Sequence, residues 1–431
     1  MKSLSWRIKE WFRKTVPAPL LRTGIQMYHF SIAIAGSIIL GFPSRKLIVI
    51  GVTGTKGKSS TVEMINAIFE AAGHKTALIN SIRFKIAGSS ERNMTRMSMP
   101  GRMFIQDILA RAAAAECTVA ILEMTSEGAR QYRHRGIALD ALVFTNLAPE
   151  HIESHGSFEL YADAKYELGR QLQRSRKRPR TIVANADDAQ SGRFLALDVE
   201  NKIPFTLSAQ TPYNATDHGG IFTFEGVTVS IPLPGEFSLK NALAAASVAR
   251  VFGISVAIIQ QALANLQDIP GRAERIHEGQ DFTVVVDYAH TPDSLTALYE
   301  AYKSSRRICV LGSTGGGRDM WKRPVMGGIA DTHCDEIILT NEDPYDEDPR
   351  EIIDMLARGM KRTPQIIMDR RAAIAHALSL AHVGDAVLIT GKGTDPNICG
   401  PHGTKLTWSD AGVAREELQK LNQQTHASIS I

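Results

Sequence analysis

Six residues in a row, Gly54-Thr55-Lys56-Gly57-Lys58-Ser59, carry the parts that a polyphosphate site needs. Small residues let backbone N–H groups close around the anion, a lysine supplies charge and a hydroxyl can reach Mg²⁺. A following helix adds the dipole of its N-terminus. Here Ser60 comes next and residues 60–65 open a helix, while residues 46–50 just before are β-branched and read as a buried parallel strand. The spacing is a variant. The glycine expected five residues before Gly57 is Val52, with Gly51 and Gly54 on either side, so the loop is read as starting at Gly51. A glycine turn before a surface helix is the plainer alternative; the ordered set of residues supports a nucleoside triphosphate site with Mg²⁺.

Three further residues could do chemistry beside such a loop. Glu123 closes the apolar run 119–122, at the carboxyl end of a parallel strand, where ligands bind in such folds. Its carboxylate suits Mg²⁺, directly or through water, and equally suits a solvated strand end. His151, in Asn146-Leu147-Ala148-Pro149-Glu150-His151, could ligate a metal or cap its loop. Lys165, on a helix read over 158–175, would alone be taken for a surface lysine.

The elements that must hold these groups alternate strand and helix, which means α/β layers with a parallel sheet. Strands are read at 76–80, 118–123, 141–145 and 181–185, and a hairpin at 221–232 turns at Glu225-Gly226. Ile269-Pro270-Gly271 reads as a linker, followed by strands at 283–287, 308–312, 336–340, 366–368 and 386–390. The organisation expected is an N-terminal helical segment (1–45), a central P-loop ATPase domain (46–269) and a smaller Rossmann-like α/β domain (270–431). A net charge of +4 in 431 residues is too small to argue for nucleic acid. Cys117, Cys309, Cys334 and Cys399 are far apart in sequence, which suggests neither a zinc ribbon nor a disulfide framework and fits a reducing cytosol.

Taken together, Gly54–Ser59, Leu122-Glu123-Met124-Thr125-Ser126, Thr145–His151 and Ala164-Lys165 resemble the ATP-dependent Mur ligases. Leu233-Pro234-Gly235-Glu236-Phe237 with Asn241, Gly271-Arg272, Asp287-Tyr288-Ala289-His290-Thr291-Pro292 and Gly315-Gly316-Gly317-Arg318-Asp319 extend the resemblance over about residues 47–418. The resemblance implies a ligase that adds an amino acid to a UDP-N-acetylmuramoyl-peptide-type acceptor through an acyl phosphate, in peptidoglycan precursor synthesis. A related ligase acting on a lipid-linked, poly-amino-acid or folylpolyglutamate-type acceptor is the alternative. It implies ATP and Mg²⁺, with Ser59, Glu123, His151 and a carbamylated Lys165 as metal ligands and Lys58 as a catalytic cation. Nucleotide contacts fall to Gly54, Thr55, Lys56, Gly57, Lys58, Ser59, Ser60, Asn146, Arg272, Asp287, His290 and Arg318. Substrate contacts fall to Ser98, Ser126, Arg135, Asp343, Asp346 and Asp395.

Departures from the family concern the acceptor side. Only 45 residues precede the loop strand, so the chain is expected to be a short form without the usual UDP-gripping domain. The Thr-Thr-Pro segment has Ser98-Met99-Pro100 as its counterpart, and Glu127 stands where a histidine is usual. Residues 3–13 are basic and amphipathic and residues 25–42 mostly apolar; packing on the central domain is expected, with peripheral membrane contact through residues 1–42 left open. The expected setting is cytoplasmic, with membrane association as the variant. In the last domain, Tyr345 replaces the family's arginine for a distal carboxylate, amid Glu342, Asp343, Asp346, Glu347 and Asp348. That acidic run is expected to favour the distal ammonium of a lysine-like amino acid.

Overall fold

The computed structural model describes residues 18–429. The amphipathic stretch 3–13 lies outside them. The chain enters through helix α1 (Ala18–Ile39), then strand β1 (Ile48–Thr53) and helix α2 (Lys58–Ala71). Strands β2 (Thr76–Ile79), β3 (Arg83–Ile86), β4 (Ser89–Arg92), β5 (Val119–Glu123), β6 (Ala141–Phe144), β7 (Thr181–Asn185) and β8 (Asn201–Phe205) complete one sheet with β1. Its order is β4-β3-β2-β5-β1-β6-β7-β8. The six strands from β2 to β8 run parallel and β3 and β4 add an antiparallel edge.

β1 sits inside the sheet between β5 and β6 and is covered on both faces. Ile50 and Val52 face one core cluster and Val49 the other. The strand runs three residues further than the apolar run suggested. Gly51 pairs in register with Leu122 and Leu142, so it belongs to the sheet and the phosphate loop starts only after Thr53. This also explains the missing glycine at Val52: that position is a fully buried strand residue.

Helix α3 (Arg102–Ala114) covers the β2 side and carries α1 on its outer face, where Gly36 of α1 lies against the side chains of Met103 and Gln106. Gly136 meets α1 as well; its φ is +78° and a Cβ there would lie 1.7 Å from Ser37 Oγ. The expected packing of residues 25–42 on the central domain is therefore found, but on a narrow strip of Ala33, Gly36 and Ser37. Met27, Tyr28, Phe30, Ile38 and Ile39 are exposed on the rest of the helix. Among the described residues no helix is long and apolar enough to cross a membrane.

The antiparallel strands Gly220–Phe224 and Val227–Ile231 pair around the Glu225-Gly226 turn as expected. Beyond Pro270 a second sheet has five parallel strands, Thr283–Asp287, Ala386–Thr390, Arg307–Leu311, Glu336–Leu339 and Gln365–Ile366 in spatial order, with Glu274–Arg275 antiparallel at one edge. The cysteine reading needs correction. Cys309, in a central strand, and Cys334, which ends the helix Lys322–His333, form a disulfide, while Cys117 and Cys399 are free and buried. The helix brings back to the sheet two residues that lie 25 apart in sequence.

One buried ion pair ties the start of the last helix to Arg370, whose Nη2 also donates to Thr390 O of this sheet. Arg370 donates from Nε and Nη2 to Asp410 at 2.8 and 2.7 Å, and both side chains are essentially inaccessible. Removing one partner leaves the other charge buried and unpaired. Asp410→Ala should cost about 3–5 kcal/mol, read as a lowered denaturation midpoint in urea; an unchanged midpoint would refute this role.

Candidate active site

The loop 54–57 leaves the carboxyl end of β1 and enters α2, whose N-cap is Gly57 at φ +81°. Glycine is required there: a Cβ would meet Asn241 Oδ1 at 2.2 Å, so the loop is pressed against helix Gly235–Val251. The segment after β6 wraps the other side. Thr145 Oγ1 donates to Lys56 O at 2.7 Å, Asn146 Oδ1 accepts from Lys56 N at 2.9 Å, and Ala148 N donates to Thr55 Oγ1 at 3.0 Å. Gly54 presents its carbonyl to Lys165 Nζ at 2.6 Å. The expected surface lysine is thus 2% exposed and sits beneath the phosphate loop.

Charge is concentrated here. Burial first, and then Lys58, push the Lys165 amine well below its ordinary value. Lys58 is lowered too, mainly by burial; its Nζ donates to Thr55 O at 2.8 Å. Ser59 Oγ donates to Glu123 Oε2 at 2.8 Å, and Ser81 N donates to the same oxygen at 3.0 Å. Arg272, from the second domain, reaches Ser59 Oγ at 3.3 Å and Ser81 Oγ at 2.9 Å. A hydroxyl and a carboxylate in contact are hard oxygen donors that suit Mg²⁺. His151 stands apart from this pair, with its side chain half exposed and its ring 4.0 Å from Glu150. Among the described residues no three His, Cys, Asp or Glu side chains converge to form a metal site. The ordinary side chains alone therefore do not complete the expected four-ligand set.

Two cavities flank the loop and share Lys56, Gly57, Arg272, Tyr288 and His290 as walls. One, of about 370 Å³, is largely apolar and adds Ser60, Asn146, Asp287, Phe205 and Leu298. The other, of about 440 Å³, is more polar and adds Lys58, Ser59, Ser98, Glu123, His151 and Arg318. Asp287 accepts from Ala273 N and Ala289 N, both at 2.6 Å, which fixes the turn where the second domain begins. Arg318 lies over the Tyr345 ring at 5.3 Å.

Several contacts between the domains were not foreseen. Glu150, 6% exposed, accepts from Lys56 Nζ and His290 Nε2, each at 3.1 Å. Burial alone would raise its carboxyl, but Lys56 and then the His290 bond hold it well below the usual range. His290 also faces Tyr288 O at 2.6 Å. Burial and Lys56 push its ring down to about 4, so near neutral pH it has one proton for two acceptors. His151 N donates to Asp319 Oδ2 at 3.1 Å. The signal for Glu150 was present in the Pro149-Glu150-His151 motif; its partner 140 residues away was not.

The substrate-side expectations fare less well. Ser126 is buried at the start of the short helix Ser126–Arg130 and is not part of the cavity wall. Arg135 points away from the cavity, to Glu167 at 2.8 Å and to the Phe30 ring of α1. Arg133 instead lies by residues 97–99, donating to Met99 O with Met97 Sδ at 3.6 Å. The acidic run also resolves into separate structural contacts. Asp343 is buried between Lys392 Nζ and Arg96 Nη2, each at 2.8 Å. Asp395 meets the same two cations at 3.2 and 2.5 Å. Asp346 faces solvent and accepts from His402 N, Glu347 holds Arg323, and Asp348 caps the helix Pro349–Ala357. An acidic pocket awaiting an ammonium group is not what these residues form: two aspartates are neutralised by two buried or half-buried cations.

Lys58→Ala removes a buried cation and the loop contact it makes. Turnover of ATP should fall by about a hundredfold or more, measured as acceptor-stimulated phosphate release; turnover near that of the unaltered protein would contradict the role.

The chain matches the Mur ligase middle domain over residues 52–249 and the Mur ligase, glutamate ligase domain over residues 271–393. A UDP-N-acetylmuramoyl-L-alanyl-D-glutamate–2,6-diaminopimelate ligase from Syntrophomonas wolfei is 34% identical over 84% of this chain and 76% of its own. A UDP-N-acetylmuramyl-tripeptide synthetase from a Roseiflexus species is 35% identical over 94% and 85%. A solved structure of a UDP-N-acetylmuramoyl-L-alanyl-D-glutamate–2,6-diaminopimelate ligase superposes with a TM-score of 0.60 at 28% identity, covering 87% of this chain and 79% of that one. Mycobacterium tuberculosis folylpolyglutamate synthase shares the fold, with a TM-score of 0.69 at 20% identity over 90% and 94%. With the phosphate loop, its serine–glutamate pair and the second domain's arginine in place, the chain belongs to the Mur ligase family, ATP-dependent enzymes that form carbon–nitrogen bonds.

Proposed function

We propose that this ligase adds an amino acid to a UDP-N-acetylmuramoyl-dipeptide-type acceptor through an acyl phosphate, in peptidoglycan precursor synthesis in the cytoplasm. The observation that carries the reading is the loop between two cavities. A largely apolar space of nucleoside size lies on one side and a polar space holding Glu123, His151 and Arg318 on the other. ATP would supply the phosphoryl group that activates the acceptor carboxylate, and Mg²⁺ would offset the charge that builds on it. Backbone amides of 54–59 and Lys58 would hold the phosphates, and Ser59 with Glu123 would hold the metal. Arg272 steadies Ser59 from the second domain, so closure of the two domains and assembly of the metal site are the same event. Arg318 lies in the wall facing the loop, where a second-domain cation can reach transferring charge.

Lys165 completes the proposal. Its amine, lowered by burial and by Lys58, is neutral enough to attack CO₂. The nitrogen–carbon bond forms as one C=O π bond of CO₂ opens onto oxygen, the amine gives up a proton, and a buried neutral amine becomes a carboxylate beside Lys58 and His151. That product would supply the oxygen ligand that the unmodified side chains lack. Lys165→Ala should then be inactive and partly rescued by millimolar short carboxylic acids; full activity without additive would return Lys165 to a packing role. The function itself is tested by mass spectrometry of products formed from ATP, amino acids and either UDP-muramoyl peptides or folyl glutamates. A product from the folyl arm alone would replace the acceptor assigned here.

A further inference from the structure

The wall of the polar cavity carries three carboxylates, and each is already engaged. Glu123 accepts from Ser59 Oγ and Ser81 N, and Glu150 from Lys56 and His290. Asp395 is the third, in the part of the wall that the second domain supplies with Arg318, Tyr345 and Thr394. Its partner comes from the other domain. Arg96 Nη2 donates to Asp395 Oδ2 at 2.5 Å and to Asp343 Oδ2 at 2.8 Å, and Nη1 donates to Cys399 Sγ. Lys392 Nζ, also buried, lies 2.8 Å from Asp343 Oδ1 and 3.2 Å from Asp395 Oδ2. Two cations balance two aspartates; without Arg96 one negative charge would be left over.

The loop that delivers Arg96 is tightly built. It follows β4, whose last residue Arg92 donates from Nη2 to Thr394 O at 3.0 Å. Asn93, 1% exposed, is its hub. Asn93 Oδ1 accepts from Thr95 N at 2.9 Å and Thr95 Oγ1 at 2.7 Å, and Nδ2 donates to Met97 O at 2.9 Å and Asn80 O at 2.7 Å. Arg96 takes φ +58° there, a left-handed conformation that a non-glycine residue holds only where its surroundings impose it. Burial alone would lower the Arg96 guanidinium, but Asp395 and then Asp343 raise it above its ordinary value. It is therefore a permanent cation in the cavity wall, and Arg318 adds a second, exposed one over the Tyr345 ring.

We propose that Arg96 sets which amino acid the ligase takes, by filling the Asp343–Asp395 pair that a side-chain ammonium would need. Amino acids with a distal ammonium are refused, and those with an uncharged side chain are accepted. This inference rests on the ligase reading above, in which the incoming amine meets the activated carboxylate inside this cavity. An ammonium entering it loses hydration and finds the aspartates satisfied and Arg318 repelling it, so nothing offsets the loss. An uncharged side chain lies against the Tyr345 ring without that cost. Removing the Arg96 charge leaves the two aspartates with Lys392 alone, a net of one negative charge, which matches a single ammonium.

The test compares L-lysine with L-norleucine, which has the same four-carbon side chain without the ammonium. Calorimetric titration of the full chain, saturated with Mg-ADP so that the phosphate loop is filled, reads binding without turnover. The unaltered protein should bind L-norleucine at least as tightly as L-lysine. Arg96→Ala should shift that ratio toward L-lysine by about tenfold or more, while Arg96→Lys, which keeps a cation in place, should leave it unshifted. Arg96→Gln, which keeps most of the stem, replaces Arg96→Ala should the latter lose ADP binding. A preference for L-lysine in the unaltered protein overturns the proposal. So does an unshifted ratio in the neutral variant, or an equal shift in Arg96→Lys, which would make Arg96 a filler of space and not of charge. Phosphate release is measured in parallel with a UDP-muramoyl dipeptide and each amino acid. Its absence for every pair, with the binding shift present, would remove the ligase reading alone; its presence without the shift would remove the role of Arg96 alone.

Discussion

The Glu150 carboxylate, buried between Lys56 of the phosphate loop and His290 of the second domain, is the contact on which the rest of the site depends. A carboxylate with so little water around it must be matched by cations and donors, because a buried unpaired charge is far more costly than an exposed one. Here the match comes from two domains at once. The residue just after it, His151, is held by Asp319 through its backbone N–H, and its neighbour Asn146 holds the loop through Lys56 N. Loop, wrapping segment and second domain are therefore fixed by contacts that sit within a few residues of one another.

Around that contact the chain buries two amines whose charged forms the fold disfavours. Lys58 and Lys165 lie beneath and beside the loop, both lowered chiefly by burial, with Glu123 and Glu150 as the carboxylates that favour their charged forms. Polyphosphate relieves this crowding, so binding and electrostatic relief coincide at the same atoms.

The acidic run in the second domain shows the reverse. Read as a stretch of sequence, it is a negative pocket. In space its members point in different directions, and Asp343 and Asp395 are met by Lys392 and by Arg96, which reaches across from the central domain. Local charge density along a chain is a poor guide to potential once the fold brings distant cations to it.

The sequence by itself determined what depends on local order. The loop's residue types, the β-branched strand before it, the hairpin turn and the alternation of strands with helices follow from steric and periodic rules that act over a few residues. Only the tertiary structure decided whatever depends on partners far along the chain. It placed Gly51 inside a strand, because two neighbouring strands pair with it. It put Lys165 under Gly54, joined Cys309 to Cys334 and turned Arg135 from the cavity while leaving Arg133 beside it. Each of these rests on residues 25 or more apart in sequence being brought together, and burial, which acts on both protonation and pairing, exists only once that packing has formed.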